Sequence, residues 1–111
     1  MNVRFSDRHI RFRVSRSELD RLLAGRSLAL DVPMPRSHQF RASVSAAAFG
    51  DWQLESDPTG LWLSIPKQTL EEWQATLPNK EGLQHQFQLD GSQLSVAFEV
   101  DLRNDESKIA A

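Results

Sequence analysis

Between Leu83 and Leu102, apolar and polar residues alternate on both sides of Asp90-Gly91. Strict alternation gives a strand one buried and one solvated face. Asp-Gly between two such runs is the strongest short-range hairpin signal, because both central residues of the tight turn need positive φ. With Asp90 and Gly91 in those places, Leu89 faces Ser92, Phe87 faces Leu94, His85 faces Val96 and Leu83 faces Phe98. The apolar set then lies on one side and Gln84, Gln86, Gln88, Gln93 and Ser95 on the other. A slip of one residue would mix the two sets, so turn chemistry and face pattern select the same register.

The same alternation predicts five more strands. His9 to Val14 turns Ile10, Phe12 and Val14 inward and His9, Arg11 and Arg13 outward. Ser15 and Glu18 follow at capping-box spacing, with Val14 and Leu19 placed as a hydrophobic staple. Leu19, Leu22 and Leu23 form the apolar stripe of a short helix, which Gly25 stops where a left-handed residue is wanted. Ser27 to Val32 is the next strand, ended by Pro33-Met34-Pro35, and Gln39 to Ala46 the one after. Trp52 to Ser56 and Leu61 to Ile65 flank Asp57-Pro58-Thr59-Gly60, which suits a type I turn. Pro66 to Leu77 is a second helix burying Leu70, Trp73 and Leu77, or one starting later if Thr69 and Glu72 form its cap. No internal repeat is visible.

These elements predict an α+β fold: one curled, mostly antiparallel sheet of six to seven strands, open or barrel-like, with two short helices. Residues 1–102 form the globular domain and residues 103–111 a flexible tail. Ile10, Phe12, Val14, Leu19, Leu22, Phe40, Leu54, Leu63, Trp73, Phe87, Val96 and Phe98 are the expected core. The first and last predicted strands are expected to be antiparallel neighbours. That register sets Arg11 against Asp101, Arg13 against Glu99, Phe12 against Val100 and Ile10 against Leu102.

At 111 residues the chain suits one domain that buries roughly two thirds of its unfolded surface. Cysteine is absent, which rules out disulfides and thiolate metal sites. The first residues carry no apolar core of a signal peptide, and no apolar run approaches a bilayer span, so a cytoplasmic protein without membrane contact is expected. The net charge of −2 hides an asymmetry. Residues 1–41 hold nine arginines and four acids, a net +5, and residues 42–111 hold four basic residues and eleven acids, a net −7. The simpler account is that the halves neutralise each other across a shared sheet; the sharper one is an anionic partner for the basic half.

The segments H-I-R-F-R-V-S-R-S-E-L-D-R-L at 9–22, L-W-L-S-I-P-K-Q-T-L-E-E-W at 61–73 and S-V-A-F-E-V-D-L at 95–102 together resemble a family of small uncharacterised bacterial proteins. Its pattern is a strand with alternating basic residues, a capped helix, an apolar strand ending in Pro-Lys before a helix with Trp, and an acidic last strand. Arg103-Asn104-Asp105 stands where many members carry a cysteine, so no role for that cysteine transfers. The resemblance implies a fold and no activity.

Candidate chemistry is sparse. His9, His38 and His85 have no partner at metal-ligand spacing, and His85, on an apolar strand face, reads as a core histidine. There is no nucleophile elbow and no glycine-rich phosphate loop. No catalytic, cofactor-binding or metal-binding residue is assigned, and no cofactor is expected. Two features suggest a binding face: Arg11 and Arg13 with Arg41, whose forked guanidinium groups suit phosphate or carboxylate, and Trp62, which is out of phase with Leu61, Leu63 and Ile65. In a one-sided sheet Trp62 is exposed, or a helix covers it. The expected function is a non-catalytic protein-interaction or accessory module, engaging an unknown protein partner or itself. The alternative is an anion-binding domain taking a phosphorylated ligand or nucleic acid on the arginine-bearing face. The acidic balance, with pI near 5.9, argues against nucleic acid. Acid partners for Arg11 and Arg13 favour the module; their absence favours the anion.

Overall fold

The computed structural model describes residues 1–79 and 81–102; the expected tail at 103–111 lies outside them. The elements are β1 (Asn2–Ser6), β2 (His9–Ser15), α1 (Arg16–Leu23), β3 (Leu28–Met34), a 3-10 turn (Pro35–Ser37), β4 (His38–Ala47), β5 (Gln53–Asp57), β6 (Gly60–Pro66), α2 (Lys67–Gln74), β7 (Leu83–Leu89) and β8 (Ser92–Asp101). The α+β class holds. The strands, however, form two four-stranded sheets, in orders β1-β2-β8-β7 and β3-β4-β6-β5, instead of one sheet of six to seven, and neither is a closed barrel. The sheets belong to two compact units. One comprises Met1–Asp20 and the chain from Thr76 onward, the other Arg21–Ala75.

In the first unit, β2 and β8 are central and parallel; β1 and β7 flank them antiparallel. The β7–β8 hairpin has the register its alternation dictates, from Leu83 opposite Phe98 to Leu89 opposite Ser92; of the two turn residues expected at positive φ only Gly91, at +74°, takes it, and Asp90 does not. β2 and β8 are neighbours as expected, but the parallel direction sets Ile10 against Val96, Phe12 against Phe98 and Val14 against Val100. Phe12, Phe98 and Val96 are completely buried. β1 was not among the expected strands, although Asn2-Val3-Arg4-Phe5-Ser6 alternates; the run is five residues long, and of its two apolar residues only Val3 is shielded while Phe5 is 60% exposed. The first turn of α1 is held by the reciprocal cap. The Glu18 N–H donates to Ser15 Oγ at 3.1 Å and the Ser15 N–H to Glu18 Oε1 at 2.8 Å.

In the second unit, β4 and β6 are central and parallel, with β3 and β5 antiparallel outside them. The core residues are Leu28, Ala42, Val44, Leu61, Leu63 and Ile65, with Leu70 and Trp73 from α2, which packs on β4 and β6. Pro33 lies inside β3, which continues to Met34; β3 is an edge strand, where the missing N–H costs no ladder bond. Pro66 stands at the N-cap of α2, which ends at Gln74, and no side chain caps it. At the other end of α1, Gly25 takes φ +93°, and the N–H groups of Gly25 and Arg26 bond the carbonyls of Leu22 and Arg21, closing the helix as expected. Of the expected core, Phe40, Leu54 and Phe87 are only half-buried.

The topology holds a repeat. Each half of the chain runs hairpin, helix, hairpin, and each unit takes one hairpin from each half. A step of 51 residues carries β1, β2 and α1 onto β5, β6 and α2, and a step of 54 carries β4 onto β8. Pairing follows the same steps: His9–Ser95 through Ser15–Asp101 corresponds to Gly60–Arg41 through Pro66–Ala47. The turn bond from Ser95 N–H to the Arg8 carbonyl, 3.0 Å, recurs as Arg41 N–H to the Thr59 carbonyl, 2.9 Å. Buried positions match as Ile10/Leu61, Phe12/Leu63, Val14/Ile65, Leu19/Leu70 and Leu22/Trp73. Only Leu19/Leu70 is identical among the residues related by the step of 51, so the repeat is one of pattern and register that the letters do not display.

Candidate functional site

The four residues singled out from the sequence lie on two outward sheet faces. Arg11 and Arg13 project from β2, two apart and so on one face, with Arg4 of β1 directly opposite Arg11 and Glu99 of β8 directly opposite Arg13. Arg13 Nη2 donates to Glu99 Oε1 at 3.3 Å, and Arg11 Nε lies 3.8 Å from the same oxygen. Glu99 thus serves two guanidinium groups. Arg13 Nε is buried and has no hydrogen-bond partner.

Beside these groups a cavity of about 290 Å³ opens, lined among others by Arg4, Arg11, Arg13, Ser15, Glu18 and Asp101. Glu18 is engaged there: the Met1 amine donates to its Oε2 at 2.7 Å, and Ser15 N–H to its Oε1. Burial alone would push the Glu18 carboxyl up, but those donors and the nearby positive charge hold it below the usual range. Arg4 was not among the expected site residues; the alternation of Asn2-Val3-Arg4-Phe5-Ser6 puts it on a polar face, but its register opposite Arg11 is visible only after pairing.

Arg41 and Trp62 belong to the other unit. Arg41 on β4 clamps Asp31 on β3 in a two-point pair, Nε to Oδ1 at 2.7 Å and Nη2 to Oδ2 at 3.0 Å, on exposed surface. The guanidinium holds the Asp31 carboxyl below its ordinary range, and the carboxylate raises Arg41 in turn. Arg41 therefore does not share a sheet with Arg11 and Arg13. Trp62 lies on the outward face of β6, out of phase with the buried Leu61, Leu63 and Ile65, and is 37% exposed. Its row across the sheet is Ala29, Ser43, Trp62, Glu55, and the flanking positions on β6 are Gly60 and Ser64. The indole thus has Ser43 on one side, Glu55 on the other and Gly60 and Ser64 along its own strand. By the step of 51, Trp62 stands where Arg11 stands in the first unit, so the repeat puts an indole where the other unit has a guanidinium.

Among the described residues no cluster of His, Asp and Glu could hold a metal ion, and no helix is long and apolar enough to cross a membrane. His85 is half-buried, its ring edge-to-face with Phe87 at 4.7 Å. Glu71 and Glu72 are solvated on α2. A model of a family of unknown function, DUF7009, matches residues 1–108. No curated protein and no solved structure matches the chain.

Proposed function

We propose that this chain, which belongs to the family of unknown function DUF7009, is a non-catalytic protein-interaction or accessory module. The observation that carries the reading is Trp62, an exposed indole on a central strand, with Ser43 and Glu55 beside it and Gly60 and Ser64 flanking it. A large rigid aromatic on a flat surface supplies contact area at low entropic cost, the usual character of an interface anchor. The acid partners of the arginines support the same reading: Arg11 and Arg13 share Glu99, and Asp31 neutralises Arg41. The test is quantitative capture from the native host with wild type and Trp62→Ser side by side. A protein enriched by wild type and lost with Trp62→Ser is the expected result; a capture profile indifferent to the substitution sinks the Trp62 face.

A second reading, binding of a small phosphorylated anion, has its own observation. Like charges directly opposite across strands are destabilising, and Arg4 faces Arg11 beside a cavity into which Arg13 also points a charge. An anion there would relieve that repulsion and offer Arg13 Nε an acceptor. The acidic overall balance still weighs against nucleic acid. Calorimetric titration with inorganic phosphate and pyrophosphate decides it: heat of binding lost in Arg4→Gln supports the reading, and no heat with wild type removes it.

A further inference from the structure

A sheet edge offers unpaired N–H and C=O groups to any passing strand, and proteins blunt their edges with charge or proline. Three of the four edge strands here do so: β1 carries Arg4, β3 carries Asp31 and Pro33, and β5 carries Glu55 and Asp57. β7 does not. Its sequence, L-Q-H-Q-F-Q-L over Leu83–Leu89, contains neither proline nor a charged residue, and it runs as a regular seven-residue strand. It pairs with β8 on one side and with no described strand on the other. Gln84, Gln86 and Gln88 are exposed on the outward face, Phe87 is only half-buried on the inward one, and Leu89 is 52% exposed.

The order of residues in β7 says what fits this edge. About Gln86 the strand is a palindrome in chemical type. Antiparallel pairing of two such strands centred on Gln86 sets Leu83 against Leu89, Gln84 against Gln88, His85 against Phe87 and Gln86 against itself. Leucine meets leucine, amide meets amide, the His85 ring meets the Phe87 ring, and no like charges oppose. A slip of one residue would set leucine and phenylalanine against glutamine along the whole strand. In this register all seven residues of β7 pair with a second copy and no apolar side chain faces an amide, the self-complementarity that a two-fold contact between identical chains needs. The His85–Phe87 contact already formed along the strand would be repeated twice across the join.

We propose that this protein forms a two-fold dimer by antiparallel β7–β7 pairing centred on Gln86, making one eight-stranded sheet from two copies. The inference rests on the interaction-module reading but uses a surface separate from Trp62. The test is sedimentation of the full chain as wild type, Gln86→Lys and Gln86→Glu. Circular dichroism confirms that each variant is folded, which the solvent-facing position of Gln86 favours. The two-fold puts residue 86 opposite its own copy, so either variant alone opposes like charges and should be largely monomeric where wild type is dimeric. An equimolar mixture of the two should recover a heterodimer. A monomeric wild type, folded variants that dimerise as wild type does, or a mixture that stays monomeric overturns the proposal. A wild-type monomer that still shows Trp62-dependent capture leaves the module reading standing, so the two failures are told apart.

Discussion

Arg13 and Glu99 stand directly opposite across the parallel β2–β8 pair, guanidinium to carboxylate at 3.3 Å. The antiparallel register expected from the charges and the parallel register found both place these two residues together. What the direction changes is everything around them. Arg11 meets Ala97 in place of Asp101 and reaches diagonally to Glu99, while Asp101 lies opposite Ser15. Both side chains are about a third exposed, so solvent and salt screen the pair. A double-mutant cycle with Arg13→Ala and Glu99→Ala should return a coupling of about 0.2–1 kcal/mol, falling as salt is raised. A null coupling at low salt would make the contact incidental.

Core burial distinguishes two phenylalanines that the sequence pattern treats alike. Phe12 is completely buried opposite Phe98, whereas Phe87 is half-buried on an edge strand. Phe12→Ala should cost about 3–5 kcal/mol in chemical denaturation, the range for emptying a phenylalanine site in a packed core. Phe87→Ala should cost clearly less in the monomer. Equal losses would contradict the burial difference.

The legible parts of this fold are those decided within a few residues. The Asp90-Gly91 hairpin, the Ser15–Glu18 cap and the Gly25 stop each depend on local chemistry, and each is found in its expected register. Strand direction and sheet membership depend on partners far along the chain. Nothing in H-I-R-F-R-V distinguishes a parallel neighbour from an antiparallel one, because alternation fixes faces and leaves direction open. That is why two sheets of four were read as one larger sheet. The same gap hid Arg4, whose place opposite Arg11 depends on which strand β1 joins, and the repeat, whose two copies share register and burial but almost no letters. Trp62 was found as a phase error, and its exposure required the structure.

Gly60 tests the parallel β4–β6 pair. It stands opposite Arg41, and a Cβ built on it would fall 2.3 Å from the Arg41 carbonyl oxygen. That oxygen belongs to backbone in a central strand and cannot swing aside. Gly60→Ala should therefore destabilise the protein by about 1–3 kcal/mol through forced displacement of the strand. His9, the equivalent residue in the first unit, should accept alanine at much smaller cost. A neutral Gly60→Ala would show that the pair can separate locally.

Glu18 makes stability depend on pH. Burial raises its pKa, but the Met1 amine at 2.7 Å and the Ser15 N–H at 2.8 Å outweigh that effect and leave it below the ordinary value. A carboxyl whose folded-state pKa is depressed contributes stability above its unfolded-state pKa and loses it as pH falls through the folded value. The contribution is thus complete at neutral pH and disappears in the acid range below about 4.5. Glu18→Gln keeps an acceptor for the Ser15 N–H while removing the charge, so it isolates this effect from the cap itself. The variant should be less stable than wild type at pH 7, and the gap should close as the solution is acidified. Ser15→Ala removes the other half of the cap and should cost about 0.5–2 kcal/mol with little dependence on pH. Denaturation midpoints measured for the three proteins between neutral and acid pH check both. A Glu18→Gln deficit that persists unchanged into strong acid would show that the carboxylate charge adds nothing.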